Sequence, residues 1–77
     1  MRQGILNARP IPPGNLQRRF PVPIPVTAWL VWERDGLELL ETKATSWSGR
    51  DVLVEIVGDS RSDALGVWLS VQDARRR

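Results

Sequence analysis

Seventy-seven residues with a formal net charge of +2 contain no Cys and no His, which excludes disulfides, Cys/His zinc sites, thiol nucleophiles and imidazole bases together. A chain of this length forms one small domain burying roughly 60% of its unfolded surface, so a partner or a second copy is a natural supplement to its stability. The charge is divided: residues 1–20 carry Arg2, Arg9, Arg18 and Arg19 and no acid, residues 21–74 carry nine acids against four cations, and Arg75, Arg76 and Arg77 follow, so the ends are basic and the body acidic.

All six prolines, Pro10, Pro12, Pro13, Pro21, Pro23 and Pro25, lie in the first third. Residues 1–25 therefore read as an extended proline- and arginine-rich arm, and residues 26–77 as a small β-barrel domain with a basic C-terminal end. Proline fixes φ and lacks an amide donor, so the arm is expected to enter neither a helix interior nor a central strand. Residues 1–19 stay open between an ordered arm and a disordered leader. The run Phe20-Pro21-Val22-Pro23-Ile24-Pro25 should be extended and covered, because Phe20, Val22 and Ile24 are costly to leave in water. No stretch has the length of a signal h-region or a membrane span, the longest apolar run being Ala28–Trp32, so the expected location is cytoplasmic.

Beyond Pro25 the composition turns β-branched and aromatic. Val26–Glu33 reads as a strand ending at Arg34-Asp35-Gly36, a hairpin signal. Leu37–Trp47 follows and stops at Ser48-Gly49; its Leu37–Glu41 portion contains good helix formers, but the preceding turn and the Thr45 and Trp47 continuation favour a strand. Val52–Val57 and Ala64–Val71 are the next runs, separated by Gly58–Asp63, and a Gln72-Asp73 turn precedes the final arginines. Together these predict an all-β antiparallel meander.

Alternation assigns the faces. With Glu55 in water, Val52, Val54 and Ile56 point to the core, while Leu53 and Val57 face outward. Trp29 and Trp32 differ in parity and lie on opposite faces, so one is core and the other is covered or partly exposed. Trp47 and Trp68 pose the same choice. Four Trp in so short a chain serve either as bulky core rings or, for one or two, as an outward binding platform.

The elements Val26–Trp32, Asp35-Gly36, Ala44, Val52-Leu53-Val54, Val67-Trp68-Leu69 and Asp73-Ala74-Arg75 resemble the small barrels of the Src-homology-three-like (SH3-like) and Tudor-like kind. The resemblance covers residues 26–76 and implies a small five-stranded antiparallel barrel with the extended arm in front of it. It implies no activity. Tudor-like barrels hold methylated Lys or Arg in aromatic cages; this chain has no Tyr and its Trp spacing does not reproduce a cage. The same strings are similar to a set of short actinobacterial proteins, a likeness that supplies no function. Ser46 and Gly49 also fit half of the pattern of the cyclic-dinucleotide-binding PilZ barrels, but Ala44 stands where an acid or amide is required.

Catalysis is not expected. Phosphate loops, dinucleotide fingerprints and nucleophile elbows are lacking, the serines have no His to activate them, and the acid pairs Glu33/Asp35 and Asp59/Asp63 sit at turns where acids are ordinary. No cofactor, metal or membrane partner is expected. The leading reading is a binding or assembly module that meets a protein partner, or another copy of itself, through the arm and a sheet edge, with Phe20, Val22, Ile24, Trp29 and Trp47 as contact residues. The alternative is nucleic-acid binding, with Arg9, Arg18, Arg19, Arg75, Arg76 and Arg77 on phosphates; the same arginines could instead pair with the acidic body.

Overall fold

In the computed structural model, which describes residues 2–77, five antiparallel strands form one sheet in the order β4-β3-β2-β1-β5. They are β1 (Arg18–Trp32), β2 (Gly36–Ser48), β3 (Asp51–Glu55), β4 (Gly66–Ser70) and β5 (Ala74–Arg76), with short 3-10 turns at Gly14–Leu16 and Val71–Asp73. Met1, the first residue of the expected arm, lies outside the described residues. The first two hairpins turn at Gly36 (φ +74°) and Gly49 (φ +57°), conformations that a Cβ would strain.

The proline stretch enters β1, which runs from Arg18 to Trp32, but β5 flanks only Val26–Ala28, so Pro21 and Pro23 lie outside the doubly paired part of the strand. The ladder explains how. Arg19 pairs with Ser46 and Ile24 with Ala44, so residues 20–23 bulge out opposite Thr45 alone, and Pro21 and Pro23 have no rung to fill. Pro25 pairs with Lys43 and accepts a bond from the Arg77 amide, 3.0 Å, on its β5 side. Thr45 is also the extra residue where β2 meets β3, since Ala44 pairs with Val54 and Ser46 with Leu53. Both irregularities coincide there, and parity along β2 reverses across them.

The core follows the alternation. Val26, Ala28, Leu30 and Trp32 of β1, Ala44 of β2, Val52 and Val54 of β3, Ile56, and Val67 and Leu69 of β4 form one buried cluster; Ile5, Phe20, Ile24, Leu40 and Ala74 pack against it. Val52, Val54 and Ile56 thus point inward as the alternation requires. A single layer with no helix over it buries a face only by curling, and the bulges at residues 20–23 and Thr45 supply bends. β4 and β5 do not pair, so the sheet remains open. Gly66 permits a close strand approach: a Cβ there would lie 2.9 Å from the Val54 carbonyl oxygen.

Residues 3–9 complete what β5 begins. In β1 the odd-numbered residues direct their backbone groups away from β2. β5 serves Val26–Ala28. Beyond it, Asn7 Nδ2 donates to the Trp29 carbonyl (2.8 Å) and the Val31 amide donates to Asn7 Oδ1 (2.9 Å). The Leu6 amide donates to the Val31 carbonyl (2.7 Å) and the Glu33 amide to the Gly4 carbonyl (2.9 Å), while Ile5 bridges to Trp32. The Arg9 amide then reaches the Trp68 carbonyl on β4 (2.7 Å). Hence the segment is ordered, and it covers in cis an edge that would otherwise offer itself for pairing.

Candidate interaction surface

The outer face of the β1–β2 hairpin follows from one register. Trp29 pairs with Leu39 and Val31 with Leu37, and all four project opposite to Ala28, Leu30 and Trp32. Leu37 and Leu39 are 65% and 60% exposed; Trp29 and Val31 are half-buried. Leu6, tied through its amide to Val31, is also exposed. Cross-strand apolar pairs of this kind stabilise a hairpin by a few tenths to about 1 kcal/mol each, which does not account for leaving so much of both leucines in water.

The next row is charged. Thr27 pairs with Glu41 on one side and Arg75 on the other, and the Arg75 guanidinium sits 5.6 Å from the Trp29 ring centroid, a cation–π contact. Arg77 lies close by, 3.5 Å from the Glu41 carboxylate and bonded to the Thr42 carbonyl (3.2 Å). Apolar rows thus adjoin a row that is basic on its β5 flank and acidic on its β2 flank.

The other named contact residues are dispersed. Phe20 and Ile24 pack partly against the core, whereas Val22, in the bulge between them, is 73% exposed. Trp47 pairs with Val52 at the far end of β2 and is 40% exposed. Trp32 and Trp68 are buried, Trp68 outside the main cluster on the face it shares with Leu53. Trp29 is the one that joins the outward apolar rows.

Nor do the arginines form one patch. Arg18 and Arg19 lie opposite Trp47 and Ser46, while Arg77 reaches Glu41 and Thr42. At roughly 3.3 Å per residue, the intervening stretch of β2 puts the two groups about 16 Å apart. Arg9 is 3.5 Å from Asp51, Arg18 donates to the Asn15 carbonyl, and Arg2 pairs with Asp63. Arg76 is exposed on β5 opposite Val26. Arg19 lines an open groove of about 340 Å³ with Ser46, Leu53, Leu65 and Gly66.

A tight ionic cluster closes the other end of the core. Arg61 lies 3.9 Å over the Trp32 ring and donates to Asp59 (2.7 Å), Glu38 (2.8 Å) and Asp35 (3.2 Å). Trp32 Nε1 donates to the same Glu38 carboxylate (3.1 Å). Sequence spacing does not reveal this arrangement, because it joins the β1–β2 turn to the distant Gly58–Asp63 loop. Hydrogen bonds from the Arg61 side chain and amide hold the Asp59 carboxyl down to about 2, and those from Arg61 to Asp59, Glu38 and Asp35 hold the guanidinium more firmly protonated than usual. The cluster is partly solvated, and its role is to anchor the loop over Trp32.

This sets a pH dependence. Asp59 titrates at 3.8 when unperturbed and at about 2 in the fold, so its stabilisation is complete above pH 3.8 and is lost as the pH falls through 2. Asp59→Asn is therefore expected to lower the melting temperature at pH 6 and to flatten its decline between pH 4 and pH 2. Equal slopes for the two proteins over that interval would show that Asp59 does not carry the effect.

Among the described residues no helix is long and apolar enough to cross a membrane, and no group of three His, Cys, Asp or Glu is placed to hold a metal ion. Comparison with protein-family models, with curated proteins and with solved structures finds no match to this chain.

Proposed function

We propose that this chain is a small non-catalytic binding or assembly module that contacts a protein partner, or another copy of itself, through the outer face of its β1–β2 hairpin. The observation that carries the reading is the pair of outward apolar rows, Trp29–Leu39 and Val31–Leu37, on a domain whose inner face is already filled. Exposed leucines in register on an outer sheet face mark a recognition site more than a structural need. The N-terminal segment supports this surface by sealing the β1 edge, and Val22 in the bulge is a further exposed contact. We also propose that the curled sheet is an SH3-like barrel working in the cytoplasm. Its strand order and the 3-10 turn carrying Asp73 between β4 and β5 support the barrel.

A photo-crosslinking residue at position 37, compared with one at position 34 in the hairpin turn, tests the reading inside the native host. Discrete crosslinked species at 37 alone are expected. No product at 37 overturns it.

One observation favours nucleic acid as a second reading. The stack of Arg75 on Trp29, with Arg76 and Arg77 alongside, offers cations beside an aromatic ring as single-strand binders do. A single-stranded gel shift at two salt concentrations, lost on Arg75→Ser with Arg77→Ser, would establish it.

A further inference from the structure

We infer that the occupant of the outer face is a second copy of this chain, related by a two-fold axis running along β1. This rests on the reading of that face as a binding surface and adds the identity of the partner. The argument begins with the charged row. Arg75 and Glu41 flank Thr27 on opposite sides because Thr27 pairs with both of their strands. A two-fold axis lying between two facing sheets and directed along β1 exchanges the β5 flank with the β2 flank. Each Arg75 then stands opposite the partner's Glu41, so one row makes two ion pairs. On the axis itself, Trp29 meets the partner's Trp29 and Val31 the partner's Val31, with Leu37 and Leu39 filling the β2 flank. Apolar side chains at the centre and opposed charges at the rim are what an isologous interface requires.

A standard interface buries roughly 800 Å² per partner, about 15% of the 5221 Å² surface of this chain. Facing sheets pack about 10 Å apart with aligned strands, which suits an axis parallel to β1. A small domain also gains stability from pairing. Within the chain Arg77 lies 3.5 Å from Glu41, so across the axis the partner's Arg75 shares that carboxylate with Arg77.

Sedimentation velocity of the full chain over a concentration series tests the inference. The wild type is expected to pass from monomer to dimer. Trp29→Ser and Leu39→Ser should each weaken the dimer roughly 30-fold or more, as central anchors do, with an unchanged circular dichroism spectrum. Arg75→Glu and Glu41→Arg should each be monomeric where the wild type is dimeric. Mixing the two single variants should restore a dimer, because every facing pair then regains opposite charges, and the double variant should dimerise by itself. A wild type that stays monomeric throughout overturns the inference, as does a dimer indifferent to the charge reversals. If that monomer still crosslinks at position 37 to a different protein or to nucleic acid, the second copy is wrong while the face remains a binding surface. Absence of any product there removes both.

Discussion

Trp32→Ala is expected to cost about 3–5 kcal/mol, the range for removing a fully buried large ring. At roughly 0.05–0.15 kcal/mol per residue, a domain of this length is stable by about 4–12 kcal/mol, so the substitution consumes much of that margin. Trp32 is 1% exposed. Its ring lies under the Arg61 guanidinium and its Nε1 donates to Glu38, so the vacancy also leaves two charged groups without their apolar floor. Trp29→Ala, three residues earlier, should cost about 1 kcal/mol, because its ring is half-exposed on the other face. Urea unfolding followed by circular dichroism separates the two. Similar midpoints would contradict the assignment of the rings to opposite faces.

That contrast is legible in the sequence, because parity along a strand is a purely local property. Trp29 and Trp32 had to diverge, and Val52, Val54 and Ile56 had to converge, once the strand was recognised. The register was also within reach, since Asp35-Gly36 and Ser48-Gly49 place the two hairpins. Three features were beyond local rules. The proline run joins β1 because the bulge at residues 20–23 skips the rungs that Pro21 and Pro23 could not fill, and a bulge of that size depends on the partner strand. Trp47 follows its own parity only after the shift at Thr45. The Arg61 cluster depends on where the Gly58–Asp63 loop lands, which no spacing encodes. The interaction surface is half visible in the sequence: Trp29 stands out, but Leu37 and Leu39 join it only through the β1–β2 pairing.

The same logic clarifies the two ends of the chain. Their excess positive charge invited a single role, and the fold divides them. Residues 3–9 are committed to backbone bonds along β1 and β4, while Arg75 and Arg77 border the outer apolar rows. One end completes the sheet, and the other decorates the surface that we propose as the binding face. A nucleic acid bridging both ends would have to cross the acidic body between them. The paired Arg75–Thr27–Glu41 row needs no such bridge, and its two signs favour a partner bearing the same row reversed.

Asn7→Ala is expected to destabilise the fold by about 1–3 kcal/mol, far beyond its size as a half-exposed surface change. The Asn7 amide acts as a missing strand residue: Oδ1 takes the Val31 amide, and Nδ2 serves the Trp29 carbonyl and, at 3.2 Å, the Asp73 carboxylate. Truncation leaves a covered donor and acceptor unpaired, and it is the unmade bond that carries the cost. Asn7→Asp sharpens the test, because the carboxylate still accepts from Val31 but now sets an acceptor against the Trp29 carbonyl and a like charge against Asp73. It should be at least as destabilising as alanine. Hydrogen exchange at the Val31 and Glu33 amides should accelerate in both variants, since Gly4 and Leu6 are held to the same edge and are expected to loosen together with Asn7. Unchanged protection at Val31 would mean that the edge is held without Asn7. Freed of its cover, β1 from Trp29 to Trp32 becomes an open strand edge, so both variants should also aggregate more readily than Trp29→Ala, which disturbs the face and leaves the edge sealed.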